Sequence, residues 1–97
     1  MEVIARHVLQ EFKQTHPEVG SEVDALLQEL VTAKWQNPHE LRARYPKASL
    51  LKNNHVVLDI KGNRYRLHIR VFYDRQIIII KRFGTHQQYN KWKFEDA

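Results

Sequence analysis

Near Ser49 the spacing of apolar residues changes from a helical repeat to alternation, which restricts the chain to helices first and a sheet after. Upstream, Ile4, Val8 and Phe12 recur at i, i+4 and i+8, predicting a helix over residues 3–14 that ends near His16-Pro17. Ser21 followed by Asp24 reads as an N-cap pattern. Val23, Leu26, Leu27, Leu30 and Val31 then give a second helix a continuous apolar face toward Trp35. Asn37-Pro38 opens a short helical turn that must finish before Pro46. Downstream, Ser49–Leu51, His55–Ile60, Arg64–Phe72 and Gln76–Phe83 read as strands, with turns at Asn53-Asn54, Gly62-Asn63 and Asp74-Arg75. Gly84 ends the last strand, and Thr85 with Gln88 three residues on has the form of a capping box opening a final helix. The expectation is an α+β fold: two N-terminal helices packed on one face of a small antiparallel β-meander sheet, with a short C-terminal helix.

With 97 residues, 42% of them hydrophobic, the chain suits a single domain spanning 1–97. Its longest apolar run, Ile77 to Ile80, falls far short of the roughly 20 residues that cross a bilayer. No basic segment leads into an apolar signal region, so a soluble, cytoplasmic protein with no membrane partner is expected. The sequence has no cysteine, which excludes disulfides and thiolate chemistry. Its six histidines do not fall at ligand spacing, so neither a metal nor another cofactor is expected.

Charge separates along the chain more than the net +5 suggests. Residues 1–60 carry seven Lys/Arg against eight Asp/Glu, whereas residues 61–93 carry nine against the single Asp74. Arg64, Arg66, His68 and Arg70 alternate with Tyr65, Leu67, Ile69 and Val71, so a strand places the first set on one face and the second in the core. A basic run can be no more than a solvated surface, but a one-sided stripe repels itself unless a polyanion neutralises it. The pattern points to nucleic acid.

At i and i+3 of the last helix, His86 and Tyr89 occupy neighbouring positions of its first turn, where both side chains can face one point. A neutral imidazole there can act as general base, or share proton transfer with a phenol, when an RNA 2′-hydroxyl attacks its neighbouring phosphate. Each residue also has a plain structural reading, His86 as a solvated cap residue and Tyr89 as an aromatic packed on the sheet.

Trp35-Gln36-Asn37-Pro38, Tyr45-Pro46-Lys47-Ala48-Ser49, Asn53-Asn54, the segment Asp59 to Leu67, and Gly84-Thr85-His86 with Tyr89 together resemble the HigB toxins, within the RelE-like group of small ribonucleases. The resemblance covers nearly the whole chain. It implies a metal-independent endoribonuclease that cuts mRNA, in many relatives on the ribosome, and a neutralising helix-turn-helix antitoxin of the HigA type through which DNA is reached only indirectly. It also implies that RNA lies on the open face of the sheet. Arg66, in Tyr65-Arg66-Leu67, matches the group's arginine at the scissile region. With it, His86 handles protons, Tyr89 assists or stacks on a base, and Lys81 neutralises phosphate charge. Asn54, His55, Lys61, Arg64, His68, Arg70 and Arg82 are the expected RNA-binding residues. Lys81 and Arg82 are adjacent, so a regular strand would let only one of them join the Arg66 stripe.

The pattern departs from the family at His55, Gln88 and Asn90, where relatives commonly carry arginine, glutamate and aspartate. The last two changes remove carboxylates beside Tyr89 and motivate a second expectation, a non-catalytic RNA- or ribosome-binding module that blocks translation by occupancy.

Overall fold

The computed structural model describes residues 1–62 and 64–94. Strand β1 (Glu2–Ile4) leads into helices α1 (His7–Thr15), α2 (Gly20–Thr32) and α3 (Pro38–Arg44). Strands β2 (Ser49–Leu50), β3 (His55–Ile60), β4 (Tyr65–Phe72) and β5 (Ile77–Thr85) follow, and helix α4 (His86–Tyr89) comes last. The strands form one sheet in the order β1-β5-β4-β3-β2, antiparallel except that β1 runs parallel to β5. Helices therefore lie at the N-terminus against a mostly antiparallel sheet, as the change of period at Ser49 predicts.

Alternation decides what each sheet face does. Val56, Leu58, Leu67, Ile69, Val71, Ile78, Ile80 and Phe83 belong to the buried core cluster together with Leu9, Phe12, Val23, Leu26 and Leu30 of the helices. Burying each of these leucines and isoleucines contributes about 2 kcal/mol relative to an exposed position. Phe12 of α1 meets Phe83 edge to face at 4.5 Å, and Phe83 stacks on Tyr65, which fixes α1 over β4 and β5. His55, Asp59, Arg66 and His68 are thereby left to the opposite face.

Several local expectations need correction. Residues 3–6 are not helical. Glu2, Val3 and Ile4 pair with Ile77, Ile78 and Ile79, and Ala5 turns the chain with φ of +67°. Pairing with β5 overrides the helical spacing of Ile4, whose side chain is exposed. Helix α2 starts at Gly20, straight after a 3-10 turn at Pro17–Val19. Ser21 is thus inside the helix and donates to the Glu22 carboxylate instead of capping. Asn37 does cap α3, accepting from the Glu40 amide with Pro38 in the first turn. Gly84 does not end β5, because it sits within the ladder opposite Arg66. The Gly62-Asn63 turn lies partly outside the described residues, as do Glu95 and Asp96.

Pairing between β4 and β5 slips once. His68 opposes Arg82 while Ile69 opposes Ile80, so Lys81 is an extra residue, a β-bulge. The bulge lets Ile80 and Phe83 both enter the core, although the two residues between them would put them on opposite faces of a regular strand.

Candidate functional site

Local chemistry at the end of β5 builds the first part of the site. Thr85 Oγ1 accepts from the Gln88 amide at 3.2 Å, and Gln88 Oε1 accepts from the Thr85 amide at 2.8 Å, closing the predicted capping box. The His86 amide donates to the Arg64 carbonyl at 3.1 Å, tying this turn to the start of β4. His86 is exposed, Tyr89 is half-buried, and their ring centroids are 6.3 Å apart. Gln88 spends its side chain on the cap, so it does not orient His86.

Arg66 approaches from β4. Its guanidinium carbon lies 5.1 Å from the Tyr89 ring centroid, and its Nε is 3.1 Å from Asp59 Oδ1 on the facing residue of β3. Arg66 is only 8% exposed. The neighbourhood of Tyr89 therefore has a carboxylate after all, supplied by a neighbouring strand and not by positions 88 or 90. Strand register was the signal that could have found Asp59: in a β3–β4 hairpin it falls opposite Arg66.

A second group of side chains occupies the same face further along β4. His55 Nδ1 and His68 Nε2 are 2.8 Å apart, and Arg82 donates to His68 Nδ1 from Nε at 3.3 Å and from Nη2 at 3.2 Å. The Arg82 guanidinium lies 4.9 Å from the ring centroids of both Trp92 and Phe94, which meet each other edge to face, and Phe94 meets His68 edge-on at 4.9 Å. Under this cover His68 is 4% exposed, and burial, followed by Arg82, His55 and Lys81, holds its imidazole down at about 4. Burial also lowers His55, with Arg70, Lys81 and Arg82 acting the same way, and burial lowers Arg82. Sequence reasoning missed Trp92 and Phe94, which lie beyond the last regular helix and carry no periodic signal.

Residues 20–92 match a family model described as the HigB toxin, RelE-like toxic component of a toxin-antitoxin system. The chain belongs to the HigB toxin family. Similar relatives are the mRNA interferase toxin HigB of Escherichia coli strain K12 and the mRNA interferases HigB of Escherichia coli O157:H7 and Shigella flexneri. Each is 26% identical over 92 residues, covering 93% of this chain and 88% of the relative.

In this HigB-family chain the expected cationic stripe is divided. Arg66 and His68 are covered, and Arg70 is held by the Asn53 carbonyl at 2.9 Å and lies over Phe72. Arg64 is exposed at the start of β4. Lys61, expected to bind RNA, is engaged elsewhere: its ammonium pairs with Glu22 of α2 at 2.8 Å, and that hydrogen bond is the main cause that lowers the Glu22 carboxyl. Asn54 is exposed in the β2–β3 turn with φ of +64°. Lys81 and Arg82 do not exclude one another, because the bulge sets both against His68 and both line the hollow beside it. Among the described residues no three His, Asp or Glu side chains converge as metal ligands, and no helix is long and apolar enough to cross a membrane.

Proposed function

We propose that this chain is the toxin of a toxin–antitoxin pair and that it cleaves messenger RNA with its own side chains, without a metal. The supporting observation is the convergence of Arg66, Tyr89 and His86, with Asp59 fixing the guanidinium, on the sheet face that the helices leave open. An RNA 2′-hydroxyl attacks the adjacent phosphate in line, His86 takes its proton, and Tyr89 assists proton transfer or stacks on a base. Arg66 stabilises the charge that develops on the phosphorane-like transition state, and Lys81 adds to it from the bulge. The products are a 2′,3′-cyclic phosphate or its opened form and a fragment with a 5′-hydroxyl. Arg64, Arg70, Arg82, Asn54 and His55 hold the strand. The buried His68 acts through His55 and Arg82, and Lys61 contributes only when it leaves Glu22.

The working context is the cytoplasm and the translating ribosome, with a HigA-type helix-turn-helix antitoxin as the silencing partner. That reading rests on family membership together with the basic C-terminal third of the chain. Purified protein incubated with free RNA and with programmed ribosomes, followed by mapping of fragment ends, tests it. Cleavage that disappears in His86→Ala while ribosome binding persists supports the catalytic roles. Translation arrest with no new 5′ ends would instead favour inhibition by occupancy.

A further inference from the structure

His55, His68, Arg70, Lys81, Arg82 and Lys93 line an open hollow of about 480 Å³ on the outer face of the sheet. Its lining has four cationic side chains and no carboxylate. Arginine can only donate, and Arg82 directs Nε and Nη2 at His68 Nδ1, so that nitrogen must carry the lone pair. His68 then bears its proton on Nε2 and donates it over 2.8 Å to His55 Nδ1. His55 in turn must bear its own proton on Nε2. The hydrogen-bond chain Arg82 to His68 to His55 thus has one direction, and it ends on a donor belonging to a residue of the hollow's wall. Among the described residues nothing accepts from His55 Nε2.

Adding a proton to either ring would set N–H against N–H, either between the two histidines or at Arg82. The pair is therefore a neutral donor inside a cationic hollow, in keeping with the lowered pKa of both imidazoles. A ligand that uses this arrangement needs negative charge and several outward lone pairs at once. A tetrahedral phosphate supplies both, whereas a planar carboxylate offers two oxygens to donors that surround it on more than two sides. Arg70 and Arg82 are already held in place, by the Asn53 carbonyl and by the Trp92 and Phe94 rings, so little side-chain freedom is lost when an anion enters.

We infer that this hollow is a phosphate subsite, with His55 Nε2–H as its principal donor and Lys81 shared between it and the scissile phosphate, and that it takes the backbone phosphate neighbouring the scissile one. The identity of the strand rests on the ribonuclease reading; the preference for a phosphate does not. Arg66 and His68 are two residues apart on β4, about 7 Å along the strand. That distance is comparable with the step between successive phosphates of a single strand. Phe94 spans the gap, touching His68 and lying 6.3 Å from Tyr89.

The test follows the His55 ring nitrogens by NMR at neutral pH while inorganic phosphate, sodium chloride at matched ionic strength, or a short 2′-O-methyl RNA lacking the attacking hydroxyl is added. A saturable shift of His55 Nε2 with phosphate but not with chloride is expected, in the wild type and in His86→Ala alike. The half-saturation concentration should rise at least tenfold in His55→Gln, followed there through the His68 ring nitrogens, and severalfold in Lys81→Gln, whose position is exposed and leaves the fold intact. The 2′-O-methyl RNA should move the same signals at lower concentration. Equal responses to phosphate and chloride, or none, would overturn the subsite. A response to inorganic phosphate with none to the RNA would overturn its place on the strand. If mRNA is never cut but the phosphate titration behaves as stated, the subsite stands and the ribonuclease reading fails.

Discussion

Asp59 and Arg66 face each other directly across β3 and β4, with carboxylate Oδ1 3.1 Å from guanidinium Nε. Both side chains are largely withdrawn from water, at 23% and 10% exposure, so the pair orients Arg66 more firmly than a surface ion pair would. Replacing Asp59 with Asn should slow cleavage roughly 100-fold, through misplacement of Arg66 and not through loss of a reacting group. Single-turnover cleavage measured beside ribosome binding checks this: binding should stay within a few-fold of wild type, and Asp59→Glu should recover part of the rate.

Tyr89 has two separable parts, a ring beside Arg66 and a hydroxyl. Tyr89→Phe keeps the ring and should lower the cleavage rate by about 100-fold if the phenol moves a proton, with little change in affinity. An unchanged rate in Tyr89→Phe combined with a large loss in Tyr89→Ala would assign the residue to stacking.

The histidine pair should make the fold sensitive to mild acid. In the unfolded chain His68 takes up a proton as pH falls below its ordinary 6.5, whereas in the folded chain it does so only near 4. The unfolded state therefore binds more protons between these values, so stability that is complete above pH 6.5 is lost as pH falls toward 4. The loss from His68 should be on the order of 3 kcal/mol, with His55 acting in the same direction. Urea midpoints for the wild type and His68→Leu across that range measure it, and the variant should show the shallower decline.

Gly84 faces the same side as Arg66, and a Cβ there would stand 2.7 Å from Gln88 Oε1 and 3.0 Å from Trp92 Cζ2. The glutamine oxygen holds the capping box and the indole is packed against Arg82, so neither yields without loss. Gly84→Ala should cost about 1 kcal/mol, as removal of a cap does. It should also shift the Trp92 indole N–H resonance and lower activity by displacing α4. Retention of that resonance with full activity would show that the segment after β5 tolerates the added methyl group.

How much of this was legible in the sequence depended on whether neighbours in sequence or neighbours across strands carried the information. The capping box at Thr85 and Gln88, the Asn37 cap and the alternation of Leu67, Ile69 and Val71 are local and were readable. Strand β1 was not, because three residues take their conformation from Ile77 to Ile79, far along the chain. Nor could alternation show that Arg66 and His68 would be covered. Their cover comes from Asp59, Phe94 and the Tyr89 ring, which only the sheet register and the path of residues 90–94 bring near. Family resemblance supplied the link between His86, Tyr89 and Arg66, and the Asp59 partner came from geometry alone.

The bulge at Lys81 carries a wider consequence. Opposite His68 and Ile69 the ladder needs only Arg82 and Ile80, and both would keep their partners in a chain one residue shorter. Lys81 is a guest in β5, seated without displacing any core side chain. If the proposed ribonuclease reading holds, variation at this position tunes how strongly that face attracts RNA while the fold stays untouched, which makes it a natural dial for toxin potency and a favourable first position for engineering an attenuated form.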